Sequence, residues 1–278
     1  MIKIGYLNKL KVISCTADET LLDGKNLGML ILSDNGASRV GYHPGDVLEV
    51  FIYFDRPDRL VATTQIPNAM PGQFAFLTVK AQTEAGAILD WGLPSDLLAP
   101  INEQSSKMLV GKSYIVFLYL DGKTKLIAAS SKLDKFLNNP CHIFSTGEEV
   151  DLLVCARTDL GFKAIINHAY WGLLYQNEIF QPLDVGQKLK GFVKKVRDDG
   201  KIDLCLAEPG GKGVDELAKQ IIEFLKKQGG SILVSDKSPP ALIYELFGAS
   251  KKTFKKALGA LYKRKLIVIQ NDSIKLID

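Results

Sequence analysis

The chain has 278 residues, of which 46% are hydrophobic and 24% are charged, as in ordinary globular proteins, and it is long enough for several small domains. No apolar run approaches the roughly 18 residues of a membrane-spanning helix, which argues against a membrane protein. The N-terminal stretch lacks a signal-peptide pattern and the 4 cysteines are scattered without a CxxC pair, so we expect a cytoplasmic protein with reduced thiols and no zinc site.

The net charge of +4 is unevenly distributed along the chain. Residues 1–66 carry 7 basic and 8 acidic side chains, residues 67–135 carry 7 and 6, and residues 136–208 carry 8 and 10. Residues 209–278 carry 13 basic and 7 acidic side chains, which is a net charge of +6 (13 − 7). This asymmetry indicates that the C-terminal quarter faces a polyanion.

Three segments of the chain share one pattern, in which a glycine opens an alternating strand and a second strand follows after a turn. The spacing from the glycine to an apolar residue of the second strand is 15 residues for Gly45 to Leu60, 15 for Gly111 to Leu126 and 16 for Gly186 to Ile202. Apolar triplets before these hairpins also correspond, at 30–32, 97–99 and 173–175. The repetition predicts a mainly β protein with three tandem five-stranded OB-fold barrels over residues 1–66, 67–135 and 136–208.

The third repeat differs from the first two in its surface chemistry. Its final hairpin, with strands at 189–196 and 202–206, carries basic side chains at Lys188, Lys190, Lys194, Lys195, Arg197 and Lys201. The same repeat contains Trp171 and Tyr175, and aromatics beside a basic ribbon are typical of single-stranded nucleic-acid binding. The first two hairpins carry aromatics instead, and we expect Tyr53, Phe117 and Tyr119 to pack in cores or between barrels.

The last segment, 209–278, follows different rules from the repeats. A Pro-Gly-Gly-Lys-Gly linker at 209–213 is the clearest domain boundary, and a short helix at 132–137 is expected between repeats two and three. The predicted elements are a helix capped by Asp215, a strand at 232–234, a helix after Ser238-Pro239, a helix capped by Ser250, and strands at 267–269 and 274–277. This order predicts an α+β winged helix.

The third helix of the winged helix is the strongest electrostatic feature. Residues 250–265 hold seven basic side chains and no acidic one, including Lys251, Lys252, Lys255, Lys256, Lys263 and Arg264. A solvated lysine face is the simpler interpretation, but like charges at i,i+4 destabilise a helix slightly without structural benefit. Contact with nucleic-acid phosphates is the interpretation that we favour.

Catalytic patterns find little support in the sequence. The three histidines are isolated from one another and belong to no Ser/His/Asp set, and the adjacent Cys141 and His142 are a lone pair. Asp198-Asp199 lie in a tight turn before Gly200, which explains them without chemistry. We therefore expect no enzymatic activity, no bound metal and no cofactor.

The repeats, with WGLLYQNEIF at 171–180, GKIDL at 200–204 and SKKTFKKALGALYKRK at 250–265, show a resemblance that covers essentially the whole chain. Each repeat resembles the S-one-type RNA-binding OB repeat of the ribosome. The four-module order resembles the bacterial conserved virulence factor B family, also called the YitL family.

The resemblance implies an RNA-binding protein involved in gene regulation, with the third repeat and the winged helix as its main RNA-binding parts. It places Tyr175 where many such repeats have a surface histidine, and Lys163 near their exposed aromatic, which favours phosphate over base contact at Lys163. Pro100 takes the histidine place in repeat two, which implies weak binding there, and the corresponding stretch of repeat one, 30–33, lacks an aromatic, which implies a scaffolding role.

The sequence leaves several functions open beside binding of single-stranded RNA. One is a protein-interaction scaffold, in which the near-neutral first two barrels dock on a ribosomal or polymerase partner. Another is a DNA-binding regulator that acts through the winged helix, and a nuclease is the remaining alternative.

Overall fold

The computed structural model describes residues 2–16, 19–33, 41–138, 144–179, 182–206 and 212–277. Within them the chain forms three closed five-stranded barrels followed by a winged helix, which confirms the predicted fold class. The chain divides into two compact units, Met1–Leu137 and Asn138–Asp278. The three boundaries between the four domains expected from the sequence stay a prediction.

The first barrel consists of β1 (Leu7–Cys15), β2 (Thr20–Asp23), β3 (Met29–Leu32), β4 (Val47–Arg56) and β5 (Arg59–Thr63). It closes in the order β1-β2-β3-β5-β4, in which β3 and β5 are parallel and the other pairs are antiparallel. Alternation along the strands turns one set of apolar side chains inward. Leu10, Val12, Leu22, Val50 and Ile52 form most of this interior.

The second barrel repeats this arrangement with β6 (Phe74–Gln82), β7 (Gly86–Asp90), β8 (Leu97–Pro100), β9 (Ser113–Leu120) and β10 (Ile127–Ser130). Its core continues into the first barrel, because Phe51 and Tyr53 lie edge-on to Trp91 with ring centroids 6.0 and 5.8 Å away. Phe117 and Tyr119 stack on Phe136, with centroids 4.1 and 5.9 Å apart. These aromatics of the first two repeats therefore serve packing, as the sequence predicted.

The third barrel consists of β11 (Glu149–Thr158), β12 (Gly161–Ile166), β13 (Tyr170–Tyr175), β14 (Lys188–Val196) and β15 (Ile202–Cys205). Its strand order, β11-β12-β13-β15-β14, is that of the first barrel. Val154, Phe162, Leu174, Val193 and Leu204 are among its buried interior residues.

A repeated backbone contact confirms that the three barrels are copies of one pattern. The amides of Gly45, Gly111 and Gly186 donate to the carbonyls of a valine on the first strand of each barrel, at 2.9, 2.9 and 2.8 Å. All three glycines have positive φ, between 77° and 106°, a conformation that glycine adopts without steric cost. The glycine that marks each repeat in the sequence is therefore the residue that aligns the fourth strand with the first.

Strand pairing corrects the sequence alignment of the repeats by one residue at two places. The parallel pair Leu174 and Leu204 corresponds to Leu32 and Ala62 in the first barrel, so 172–174 matches 30–32, rather than 173–175. Ala128 pairs with Leu98 in the second barrel as Val61 pairs with Ile31 in the first, so the equivalent of Leu60 is Ile127 and not Leu126. The alternating pattern alone misses such a shift, because turn length and bulges change the count between strands.

The winged helix contains α1 (Lys212–Lys227), β16 (Ser231–Ile232), α2 (Pro240–Phe247), α3 (Lys251–Lys263), β17 (Ile267–Ile269) and β18 (Ile274–Leu276). The sheet order is β16-β18-β17. Its hydrophobic core is separate from that of the third barrel and includes Ile221, Leu225, Phe254, Leu258 and Ile274. No helix in the described ranges is long and apolar enough to cross a membrane.

Three details of the predicted elements are wrong. Asp215 is not a helix cap, because α1 already begins at Lys212 and Asp215 lies in its first turn. The helix expected at 132–137 is a single 3-10 turn, Leu133–Lys135, and the strand expected at 232–234 is Ser231–Ile232. Ser250 does cap α3 as predicted, since its hydroxyl accepts a hydrogen bond from the Thr253 amide at 3.1 Å.

Candidate nucleic-acid interface

The outer face of the third barrel brings together residues from four strands in one row. Lys163 on β12 pairs with Leu173 on β13, Leu173 pairs with Asp203 on β15, and Asp203 pairs with Lys195 on β14. Trp171 and Tyr175 flank Leu173 on the same face of β13, because Gly172 and Leu174 between them point into the barrel. We call this row with its two aromatics the barrel-three face.

Lys163 and Trp171 form a close pair on the barrel-three face. The Lys163 ammonium nitrogen lies 3.7 Å from the centroid of the Trp171 ring, a cation–π contact. Both side chains are partly exposed. The structure therefore places the predicted phosphate-binding lysine directly over the predicted stacking aromatic.

Tyr175 is held by a charged pair rather than standing free. The Arg197 guanidinium donates to both carboxylate oxygens of Asp203, at 2.9 and 3.1 Å from Nε, and also donates to the Tyr175 hydroxyl. Arg197 also lies near the Tyr175 ring, 5.8 Å from its centroid. The aromatic ring is thus fixed in orientation at the edge of the barrel-three face.

Most of the other basic side chains of the hairpin are paired with acidic neighbours. The Lys190 ammonium lies 2.9 Å from Asp151 and 3.4 Å from Glu149, and these hydrogen bonds raise the pKa of Lys190 above its usual value. Lys194 pairs with Glu178, and Lys201 lies 2.8 Å from Asp199.

Because of these ion pairs, the predicted basic ribbon is not a continuous positive surface: several of its lysines are each neutralised by a neighbouring carboxylate. The lysines of the pairs are exposed, and exposed ion pairs contribute only about 0 to 1 kcal/mol, so phosphates can displace the acids at small cost. Lys195 is exposed and has no ion-pair or hydrogen-bond partner among the described residues. A bulge in β14 between Val193 and Lys195 brings both Lys194 and Lys195 to the surface.

Helix α3 turns its basic side chains away from the winged-helix core. Its buried residues, Phe254, Ala257, Leu258 and Leu261, follow the i, i+3, i+4, i+7 pattern. The opposite surface carries the exposed side chains of Lys252, Lys255, Lys256, Tyr262 and Lys263, which we call the basic surface of α3.

The predicted lysines and arginine of this region fall into a paired and an unpaired group. Lys251 donates to the carbonyls of Lys237 and Ser238, at 3.1 and 2.9 Å, and serves the local fold. Lys255 lies 3.3 Å from Asp236, and Arg264 lies 3.1 Å from Asp215. Of the cations predicted on α3, Lys252, Lys256 and Lys263 have no ion-pair or hydrogen-bond partner for their side chains among the described residues.

The corresponding face of the first two barrels is less polar. Pro100 pairs with Gly86 as Tyr175 pairs with Gly161, so Pro100 occupies the Tyr175 position, as the resemblance implied. In the first barrel, Met29 and Ile31 lie on one side of β3 and are 67% and 40% exposed.

The part of the chain that the structure describes contains no group of three or more His, Cys, Asp or Glu side chains that could hold a metal ion. The Cys141–His142 pair lies outside the described residues. Burial raises the pKa of the Cys155 thiol to about 12 and that of Cys205 to about 11, so both thiols are protonated at neutral pH.

Sequence reasoning missed the acids that pair with the predicted cations. Asp203 on β15 lies two residues after Lys201, the spacing of side chains on one face of an extended chain, so this signal was present in the sequence. Glu178 follows β13 in a 3-10 turn, and only the closed barrel brings it to Lys194.

Comparisons with known proteins agree with this architecture. The S1 domain family matches residues 4–65 and 71–130, and the family described as CvfB-like winged helix domain matches residues 219–276. Conserved virulence factor B of Staphylococcus haemolyticus is 25% identical over 284 residues, covering 98% of this chain and 94% of that protein. The Staphylococcus aureus protein of the same name is 25% identical over 285 residues, with the same coverage.

Conserved virulence factor B proteins are thus homologues of this chain over 98% of its length. Among solved structures, a multidomain protein with nucleic acid binding domains from Streptococcus pneumoniae is 23% identical and covers 99% of this chain and 98% of that chain, with a TM-score of 0.40. The S1 domains and the CvfB-like winged helix domain of this chain are both nucleic-acid-binding modules, which indicates nucleic-acid binding.

Proposed function

We propose that this protein binds single-stranded RNA and acts as a non-enzymatic, cytoplasmic regulator of gene expression at the post-transcriptional or translational level. The observation that carries the proposal is the basic surface of α3, where Lys252, Lys256 and Lys263 have no partner among the described residues. Unpaired, exposed cations on one helix face are a feature of phosphate binding.

The barrel-three face supports RNA over duplex DNA as the ligand. Trp171 and Tyr175 are partly exposed aromatics beside Lys163, Lys195 and Arg197, and bases of a single strand are free to stack on such rings. The proposal assigns base contact to these two aromatics and phosphate contact to the cations of the face. Lys190, Lys194 and Lys201 bind further phosphates once RNA displaces their acidic partners.

Charge reversal on α3 tests the proposal in the whole chain. Lys252→Glu with Lys256→Glu should weaken RNA binding about 100-fold or more, since a hydrogen bond to a charged group is worth roughly 1.5–3 kcal/mol and two such bonds are removed. Lys219→Glu with Lys226→Glu, on exposed positions of α1, is the matched control with the same change in net charge. Equal affinities for both double variants at moderate salt would contradict the role of α3.

A competition series distinguishes the ligand classes. Labelled single-stranded RNA, bound to the whole chain, is displaced with unlabelled single-stranded RNA, structured RNA or duplex DNA. We expect single-stranded RNA to be the best competitor. Preference for duplex DNA would instead support a DNA-binding regulator, which is the alternative that the winged helix allows.

A protein-interaction scaffold is the second candidate function, because one specific surface favours it. Met29 and Ile31 expose apolar side chains on β3 of the first barrel, at the place where the third barrel carries Leu173 between its aromatics. Capture of a ribosomal or polymerase protein that survives RNase treatment and is abolished in Met29→Lys with Ile31→Lys would support this function.

A further inference from the structure

The basic surface of α3 has a glycine at its centre. Gly259 is four residues after Lys255, three after Lys256, three before Tyr262 and four before Lys263. Side chains at these separations are neighbours on a helix surface, so the four exposed side chains surround the glycine. Gly259 therefore leaves a notch in the middle of a cationic patch.

Packing within the protein does not explain this glycine. A Cβ added at Gly259 would meet nothing within 4 Å, and Gly259 is not among the residues with positive φ. Other glycines have such a reason: a Cβ at Gly172 would lie 2.5 Å from Leu204, and one at Gly191 would lie 2.5 Å from Leu152. Glycine is among the least favourable residues in a helix interior, so Gly259 makes α3 less stable without a benefit to packing.

We propose that Gly259 is the point at which the phosphodiester backbone of a nucleic acid lies against α3, an inference that rests on the proposed function. The missing side chain lets the ligand approach the helix closely. The ammonium groups of Lys256 and Lys263, which have no partner among the described residues, then reach the same phosphates from two sides. The third neighbouring cation, Lys255, is itself exposed, lies 3.3 Å from the partly buried Asp236 and exchanges this partner for a phosphate.

The chemistry of the notch favours a phosphodiester over an acidic protein segment. Residues 250–265 contain seven basic side chains and no acid, so a continuous polyanion can bind along the whole helix. The fourth neighbour, Tyr262, is 58% exposed and offers its ring to a sugar or a base. If a protein were the ligand of this surface, changes at Gly259 would leave nucleic-acid affinity unaltered.

The test is a graded series at Gly259 in the whole chain: Gly259→Ala, which adds one methyl group, and Gly259→Leu, which fills the notch. Thermal unfolding is followed by circular dichroism at 222 nm, and affinity is measured for single-stranded RNA and duplex DNA over a range of salt concentrations. Gln220→Ala, at an exposed position of α1, is the control for an added helix-favouring residue away from α3.

We expect Gly259→Ala to raise the unfolding temperature and to weaken binding, and Gly259→Leu to weaken binding further. Removal of one charge-assisted hydrogen bond corresponds to a factor of roughly ten in affinity. The slope of log affinity against log salt should fall by about 0.7–0.9 for each phosphate that the protein no longer neutralises. The nucleic acid, single-stranded RNA or duplex DNA, whose affinity changes more in the Gly259 variants is the one whose backbone lies against α3.

The outcomes separate this inference from the proposed function. Wild-type affinity in both Gly259 variants, while Lys252→Glu with Lys256→Glu still weakens binding, would overturn the inference and leave α3 as a binding helix. Unchanged affinity in the lysine variant as well would overturn both. Weaker binding by a more stable Gly259→Ala variant supports the inference, because impaired folding is then excluded as the cause.

Discussion

The Lys163 ammonium group lies 3.7 Å above the centre of the Trp171 ring. The sequence predicted a phosphate contact at one of these residues and a base contact at the other, but the structure makes them one unit. A cation–π contact at an exposed site contributes about 0.5–1 kcal/mol, whereas a stacked base contributes about 1–3 kcal/mol. A base can therefore replace Lys163 on the ring and free the ammonium group for a phosphate.

This pair leads to a prediction for tryptophan fluorescence. The protein has two tryptophans, and Trp91 is 2% exposed in a core, so a change in emission on addition of single-stranded RNA should report Trp171. We expect quenching by RNA that disappears in Trp171→Leu. Lys163→Met, which keeps the chain length without the charge, should retain quenching but lower the salt slope by about 0.7–0.9. Quenching that persists without Trp171 would disprove base stacking at this site.

Release of Arg197 should strengthen RNA binding. Asp203 now accepts hydrogen bonds from Arg197, and Asp203→Asn removes the charge that competes with phosphates. We expect severalfold higher affinity and a salt slope steeper by about 0.7–0.9, measured by salt titration of the complex. Asp159→Asn, an exposed position in the β11–β12 turn, is the control with the same charge change. Equal gains in both variants would indicate a general charge effect only.

Two glycines of the second barrel should respond very differently to alanine. A Cβ at Gly86 would lie 2.2 Å from the Ala99 carbonyl oxygen, and its φ is +152°, whereas Gly111 has φ +77° and open space around its Cβ position. We expect Gly86→Ala to cost about 2–4 kcal/mol of unfolding free energy and Gly111→Ala about 1–2 kcal/mol. Urea unfolding followed by tryptophan fluorescence in a Trp171→Leu background, where Trp91 in the core of this barrel is the remaining tryptophan, measures both losses. Similar losses would contradict the steric argument.

Replacing a lysine by glycine at the end of α3 should stabilise the winged helix. Lys265 has φ +57°, a left-handed conformation that costs a residue with a Cβ about 1–2 kcal/mol. We expect Lys265→Gly to raise the unfolding free energy by about 0.5–1 kcal/mol, part of the relief being offset by the freer unfolded chain. Arg264→Gly, with φ −78° at the neighbouring position, should destabilise instead. Circular dichroism at 222 nm is the measurement, since the α-helices of the described residues all lie in this domain.

His168 should make the stability of the third barrel depend on pH. Burial and the nearby Lys188 lower the pKa of His168 below its usual 6.5, so between these pKa values the unfolded chain binds a proton that the folded chain does not. Stability should therefore decrease as pH falls below about 6.5.

His168→Asn should remove this part of the pH dependence, because the asparagine side chain does not titrate. Asparagine also tolerates the positive φ of 55° at this position, so the backbone conformation is kept. Amide hydrogen exchange of β12 and β13 at pH 7.5 and 5.5 compares the two proteins locally. An identical decrease of protection in both would exclude His168 as the source.

The fold class and the order of the modules follow from local signals in the sequence. The glycine at each hairpin, the alternation of the strands and the Ser250 cap are local signals, because each depends on backbone conformations within a few residues. These local signals did not predict the one-residue shifts in the repeat alignment, since bulges and turn lengths are set by pairing with distant strands. They also did not predict that α1 begins before Asp215.

Which cations are available to a ligand depends on contacts that form only when the chain folds. Lys194 and Glu178 are 16 residues apart in the chain, and Arg264 and Asp215 are 49 apart, so folding alone brings these charges together. Lys252 and Lys255 are both exposed lysines near the start of α3, yet Asp236, from the loop before α2, pairs only with Lys255 among the described residues. Electrostatic availability depends on what packs nearby in space, and a linear pattern of lysines does not contain that information.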